Sequence, residues 1–149
     1  MDEKLFEIKT GVLVFFSALG TVLGWKGLMA LVWVLAMALD YLSGTAAACK
    51  EGTWSSTTAR TGLWHKGGMI LVVLVAAMAD GILSTISAGM SLLWPGALLP
   101  LVVMWYIITE LGSILENAVK LGVQVPQWLK KALEISLEAV DGAGKNHME

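Results

Sequence analysis

Charged residues cut this chain into apolar blocks, and the lengths of those blocks decide what it can fold into. Thr10 to Trp25 carries no charge, Gly27 to Cys49 carries only Asp40, and Gly67 onward carries only Asp80 before Glu110. A helix that crosses the hydrocarbon of a bilayer needs about 20 mainly apolar residues. The second block is long enough for one crossing and the third for two, with a turn expected over 91–96, where Pro95 and Gly96 punctuate the pattern. The first block spans only by taking in Leu5, Phe6 and Ile8, with Lys9 snorkelling to the interface. The expected fold is therefore an all-α membrane protein. It forms a single membrane domain over 1–149, with four short transmembrane helices near 7–25, 27–48, 68–90 and 95–116.

Composition agrees. Apolar residues make up 56% of the 149 residues and charged residues 15%, against a globular average of about 25% charged. Mean hydropathy is +0.72. A soluble chain of this size could not hide so much apolar surface. The net charge of −2 gives no reason to expect a nucleic-acid partner. The one cysteine, Cys49, excludes an internal disulfide framework, and His65 and His147 share no ligand spacing with it, so no metal or cofactor is expected. The head, Met1 to Lys9, sets Asp2, Glu3 and Glu7 against Lys4 and Lys9. A secretory leader would be net positive there, so the first span is expected to be retained.

The basic residues set the topology. With four crossings, nine of the ten fall on one side and only Lys26 on the other, so both termini are expected in the cytoplasm. Trp25 and Trp94 mark the outer turns, and Trp54 and Trp64 the inner loop, as an interfacial aromatic belt requires. That loop, 50–66, is rich in Ser, Thr and Gly and is expected to be a polar cytoplasmic loop without regular structure. After Pro126, which suits the start of a helix, apolar Trp128, Leu129, Leu133, Leu137 and Val140 recur at helical spacing. An amphipathic cytoplasmic helix is expected over 126–140, lying on the membrane or on another subunit, with a disordered tail over 142–149.

Three acids stand out by position. Asp40, Asp80 and Glu110 all fall within expected spans. Each costs roughly 2.5–3.5 kcal/mol when ionised near the bilayer centre. Such residues are protonated, face water or meet a partner, or act as hydrogen-bonding glue between helices. Small and polar neighbours share their faces: Ala36, Ser43, Gly44 and Ala47 with Asp40; Ala77, Gly81, Ser84 and Ala88 with Asp80; Tyr106, Ser113 and Asn117 with Glu110. These faces are expected to meet each other, a second subunit or a wet pore. Gly20 and Gly24 form a GxxxG, a weak motif for helix association. No constellation of nucleophile and base, metal ligands or phosphate loop is found, so an enzyme is not expected.

Two stretches carry a resemblance. Asp40-Tyr41-Leu42-Ser43-Gly44 leads into a polar loop ending at Lys66. Glu110-Leu111-Gly112-Ser113-Ile114-Leu115-Glu116-Asn117 is followed by Gly122 and Pro126. With Asp80 between them, they resemble the phage-lysis and toxin-secretion holin family over about residues 10–135. The resemblance implies a multispanning protein of the bacterial cytoplasmic membrane. Such a protein accumulates, forms homo-oligomers in the lipid bilayer, and opens lesions that release or activate an endolysin, in some cases restrained by an antiholin. The competing readings are a small proton-coupled multidrug exporter, for which the first span lacks the expected acid, and an accessory membrane subunit.

Overall fold

The computed structural model describes residues 2–90 and 94–146. Four helices follow in order: α1 (Asp2–Glu51), α2 (Ser56–Gly89), α3 (Leu98–Lys120) and α4 (Gln127–Asn146). No strand occurs among the described residues. The expected all-α membrane architecture holds.

At about 1.5 Å per residue, the 50 residues of α1 are too long for one crossing. Gly24 breaks the run, with φ 66° and ψ 173°, a conformation that glycine adopts without strain. Among the described residues, three stretches are long and apolar enough to cross a membrane: Gly24–Glu51, Ser56–Gly89 and Leu98–Lys120. The stretch before Gly24, where a first span is expected, is helical up to the kink. Among the described residues, nothing beyond the adjoining chain lies within 4 Å of the position a Gly24 side chain would occupy, and its positive φ turns the chain there. The surroundings of Gly20 lie outside the described residues.

The polar stretch 50–66 is mostly helical, contrary to expectation. Gly52, at φ 69°, ends α1, and Ser55 starts α2 by accepting a hydrogen bond from the Thr58 backbone N–H at 3.1 Å. The hydroxyl of Thr61 then bonds back to the Thr57 carbonyl at 3.0 Å. Ser and Thr thus serve the helix as cap and back-bonding groups, roles that a polarity count cannot see. The helix at the other end is also longer than expected. It covers 142–146, where a disordered tail was expected. The helix runs on through Gly142, Ala143 and Gly144, and α3 is the only described helix that α4 touches. Residues 147–149 lie outside the described part.

α3 is the hub. α1, α2 and α4 each pack on it, whereas α1 and α2 scarcely meet. The core between the first three helices is built from Trp33, Met37, Met69 and Val103, with Tyr106 and Ile107 packed against it. Trp33 stacks on Tyr106 with ring centroids 5.9 Å apart.

Both ends of α3 are closed by side chains from other helices. Its N-cap residue, Ala97, has no capping group. Asp80, in α2, supplies one. Its Oδ1 accepts from the Leu98 N–H at 3.2 Å, and its Oδ2 accepts from the Leu99 N–H at 2.9 Å. Pro100 has no N–H to satisfy, and the Leu101 N–H begins the ladder on Ala97 O. The indole of Trp94 also donates to Asp80 Oδ1, at 3.0 Å. At the far end, Lys50 Nζ donates to the carbonyls of Lys120 and Leu121 at 3.3 and 2.7 Å. A carboxylate at the N-terminus and an ammonium at the C-terminus are the charges the helix dipole favours.

Asp80→Ala should therefore destabilise the fold by about 1–2 kcal/mol, the usual worth of a lost cap. Denaturation of the purified protein in detergent micelles would read this. A variant as stable as the parent would remove the cap from the account.

Candidate functional site: an ion triad beneath an open vestibule

Asp40, Lys66 and Glu110 come together from three different helices. Lys66 Nζ donates to Asp40 Oδ2 at 3.0 Å and to Glu110 Oε1 and Oε2 at 2.8 and 2.7 Å. Glu110 is buried, at 4% exposure. Asn117, two turns along α3, extends the network. Its amide donates to Asp40 Oδ1 and to Ser43 Oγ, each at 3.1 Å. Gly44 lets this happen: a Cβ there would lie 3.4 Å from Asn117 Nδ2. Two carboxylates facing one ammonium carry a formal charge of −1, and the amide donors of Asn117 meet part of that excess.

Helix periodicity explains the arrangement. Asp40, Ser43 and Gly44 share one face of α1, and Glu110 and Asn117, seven residues apart, share one face of α3. The two faces meet, and Lys66 reaches between them from α2. One turn from each ionic residue lies a member of the apolar core: Met37 beside Asp40, Met69 beside Lys66, and Tyr106 beside Glu110. The polar network therefore rests on an apolar seal.

Above the triad the helices part. Because α1 and α2 diverge, a vestibule of about 500 Å³ opens between them and α3. Asp40, Lys66, Glu110 and Asn117 line its floor, and Trp54 and Lys120 line its upper walls. Ser113 lines it too, as does the exposed Glu116.

The acids that the sequence singles out thus divide. Asp40 and Glu110 join one site, with Ser43, Gly44 and Asn117. Asp80 is buried at 6% exposure but sits apart, as the cap of α3. Its expected face splits as well: Gly81, Ser84 and Ala88 are exposed, and the Ser84 carbonyl accepts the Ser87 hydroxyl within its own helix. Lys66 was missed as a functional residue because it had been read as the end of a loop. Its signal was available in the Ser55 and Thr58 pair, which starts α2 early enough to carry Lys66 onto a helix face.

A family comparison gives this geometry its context. The family model described as the bacteriophage holin family matches residues 17–137. The chain belongs to the bacteriophage holin family. Every residue of the triad network falls within the matched part. Among curated proteins, this chain is 35% identical over 137 residues to an uncharacterised protein of Clostridium perfringens strain 13, covering 90% of this chain and 93% of that one. It is 31% identical to an uncharacterised 14.9 kDa protein of the nagH 3' region of Clostridium perfringens, covering 90% and 96%. An uncharacterised protein of Listeria innocua is 32% identical, covering 86% and 85%. No solved structure matches the chain.

Removing Lys66 leaves two carboxylates facing each other in a largely buried site. Lys66→Met should cost about 3–5 kcal/mol, as for other broken buried pairs. Adding Asp40→Asn and Glu110→Gln to it should recover most of that loss. Detergent denaturation of the single and triple variants measures both. Equal destabilisation in the two would mean the charges do not hold the helices together.

Proposed function

We propose that this holin accumulates in the bacterial cytoplasmic membrane and assembles with copies of itself. It then opens lesions that release or activate an endolysin at lysis, or export a toxin. Membership of the holin family supports this reading, and the observation that carries it is the Lys66 triad. A protein that is first harmless and then opens the membrane needs a closed packing that can be undone. The triad fastens α2 to α1 and α3 at mid-span, where apolar packing between α1 and α2 is slight. The vestibule already brings solvent-accessible space down to the triad. On the other side of the triad, the apolar cluster of Trp33, Met37, Met69 and Val103 closes the space between the helices. Release of Lys66 frees α2 and uncovers the polar faces around Asp40 and Glu110, which then line the lesion. Ionisable residues within membranes characteristically face such water-filled cavities.

The basic residues orient the molecule. Lys50, Arg60 and Lys120 lie toward the mouth of the vestibule and Lys66 at its floor, whereas Lys26 lies beside Gly96 at the other end. The vestibule therefore opens to the cytoplasm. The C-terminus shares that side, and so does the N-terminus when the stretch before Gly24 also crosses. The function is pore formation rather than catalysis.

Inducible expression in a bacterium, with and without an endolysin lacking an export signal, tests the proposal. Abrupt loss of membrane potential is expected after a lag, followed by falling turbidity only where the endolysin is present. Asp40→Asn and Glu110→Gln, which weaken the fastening, should each bring the collapse forward at equal membrane levels of protein. Continued growth with the potential intact would defeat the pore reading. Collapse on the parent schedule in both variants would defeat the role given to the triad.

A further inference from the structure

One polar group is set into the seal beneath the triad. Trp33 is buried, at 4% exposure, and its indole N–H has no hydrogen-bond acceptor among the described residues. The cluster around it is built of Met37, Met69 and Val103, with Met29 and Leu99 packed against them, and none of these side chains offers a strong acceptor. A donor placed there has lost its hydration and gained nothing in exchange. A phenylalanine would stack on Tyr106 without that cost, so packing does not by itself account for the nitrogen.

The position of Trp33 along α1 supplies a role. It stands seven residues from Asp40 and seven from Lys26, about 10 Å each way at 1.5 Å per residue. Between Lys26 and Asp40 no other side chain of α1 carries an N–H or an O–H. Seven residues are close to two turns, so the three share one face of the helix. That face is the inner one: Asp40 accepts from Asn117, Trp33 stacks on Tyr106, and Lys26 Nζ lies 3.5 Å from where a Gly96 side chain would begin. The vestibule reaches the start of this line, because Met69 of the seal is also part of its lining. Trp33 is thus the one polar step on α1 between the triad and the opposite end of the bundle.

A single donor does not hold a water molecule, and apolar spaces stay dry. The N–H is therefore without hydration while the helices are packed. When they part, water from the vestibule is the acceptor that reaches it, since burial keeps lipid away. We infer that Trp33 is a hydration gate: its ring closes the seal, and its N–H takes up the water that passes the triad, so that the seal is wetted along the line from Asp40 through Trp33 to Lys26. The unpartnered donor raises the packed state relative to the wetted one, and the nitrogen accordingly favours opening.

The inference rests on the membrane-pore reading, and two measurements keep their failures apart. The full chain is made by cell-free synthesis with Trp33→3-benzothienylalanine, which keeps the shape of the indole and puts sulfur in place of the N–H. In phosphatidylcholine vesicles, the lag before release of a trapped dye should lengthen several-fold at equal protein per vesicle. Trp105→3-benzothienylalanine, which makes the same exchange on the other ring that meets Tyr106, should keep the parent lag. An unchanged or shorter lag at position 33 would overturn the inference, and so would an equal delay at both positions. The second measurement is exchange of the Trp33 ring N–H with D2O, followed by NMR of the parent in nanodiscs and assigned by its loss in Trp33→Phe. It should exchange many-fold faster than the backbone N–H groups of Val32 and Val34. A ring N–H no faster than those backbone groups would also defeat the gate. Dye release with a protected ring N–H sinks only this inference, and fast exchange without any dye release sinks only the pore.

Discussion

A charge inside a bilayer must be given a partner by the protein, because lipid gives it none. This constraint organises the molecule around α3. Asp80 meets the first backbone N–H groups of α3, Lys66 meets Glu110 at mid-length, and Lys50 meets the last carbonyls. These groups come from α1 and α2, which scarcely touch each other. Between lipid-surrounded helices the hydrophobic effect supplies little attraction, since the tails are as apolar as the side chains they would leave. Contacts at three heights along α3 thus hold the bundle in register in a way that its apolar surfaces alone would not.

Much of this was legible in the sequence, and the failures have physical causes. The spacing of charges marks the end of the apolar stretch near Cys49, where α1 ends at Glu51. The residues Asp40, Ser43, Gly44, Glu110 and Asn117 are also legible as faces, because i, i+3, i+4 and i+7 spacing survives whatever the partner is. What spacing within a helix cannot give is which face meets which. Asp80 looks equivalent to Asp40 in composition and depth, yet one caps a helix and the other enters an ion triad. That difference is decided by Ala97 and Pro100, whose lack of a side-chain cap and of an N–H leaves two donors in need of a carboxylate.

Lys66 shows a second kind of failure. Counting apolar residues begins a span at the first uncharged position, so a lysine just before it is assigned to a loop. The helix begins eleven residues earlier, at its Ser55 cap, and the lysine becomes part of the packed face. The C-terminal helix likewise runs on through Gly142 and Gly144 to Asn146, where a disordered tail is expected. The break at Gly24 falls beside Trp25, where the gap between the first two expected spans lies, and its positive φ uses the freedom of glycine to turn the chain.

The triad also bears on why a protein that must come apart would use charge where apolar side chains of similar volume would hold as well or better. Apolar contacts between helices can slide and re-form in many registers, each nearly as good as the last. A lysine bridging two carboxylates has few acceptable positions, and partial separation leaves each charge in a worse environment than either the closed pair or open water. Packing of that sort resists small displacements and then gives way as a unit, provided the separated charges find water. The vestibule supplies that outlet on one side of the triad, and the seal withholds it on the other. Under the proposed function, the arrangement gives a closed state that tolerates fluctuation and an opening that, once begun, is favoured by hydration of the very groups that held it shut.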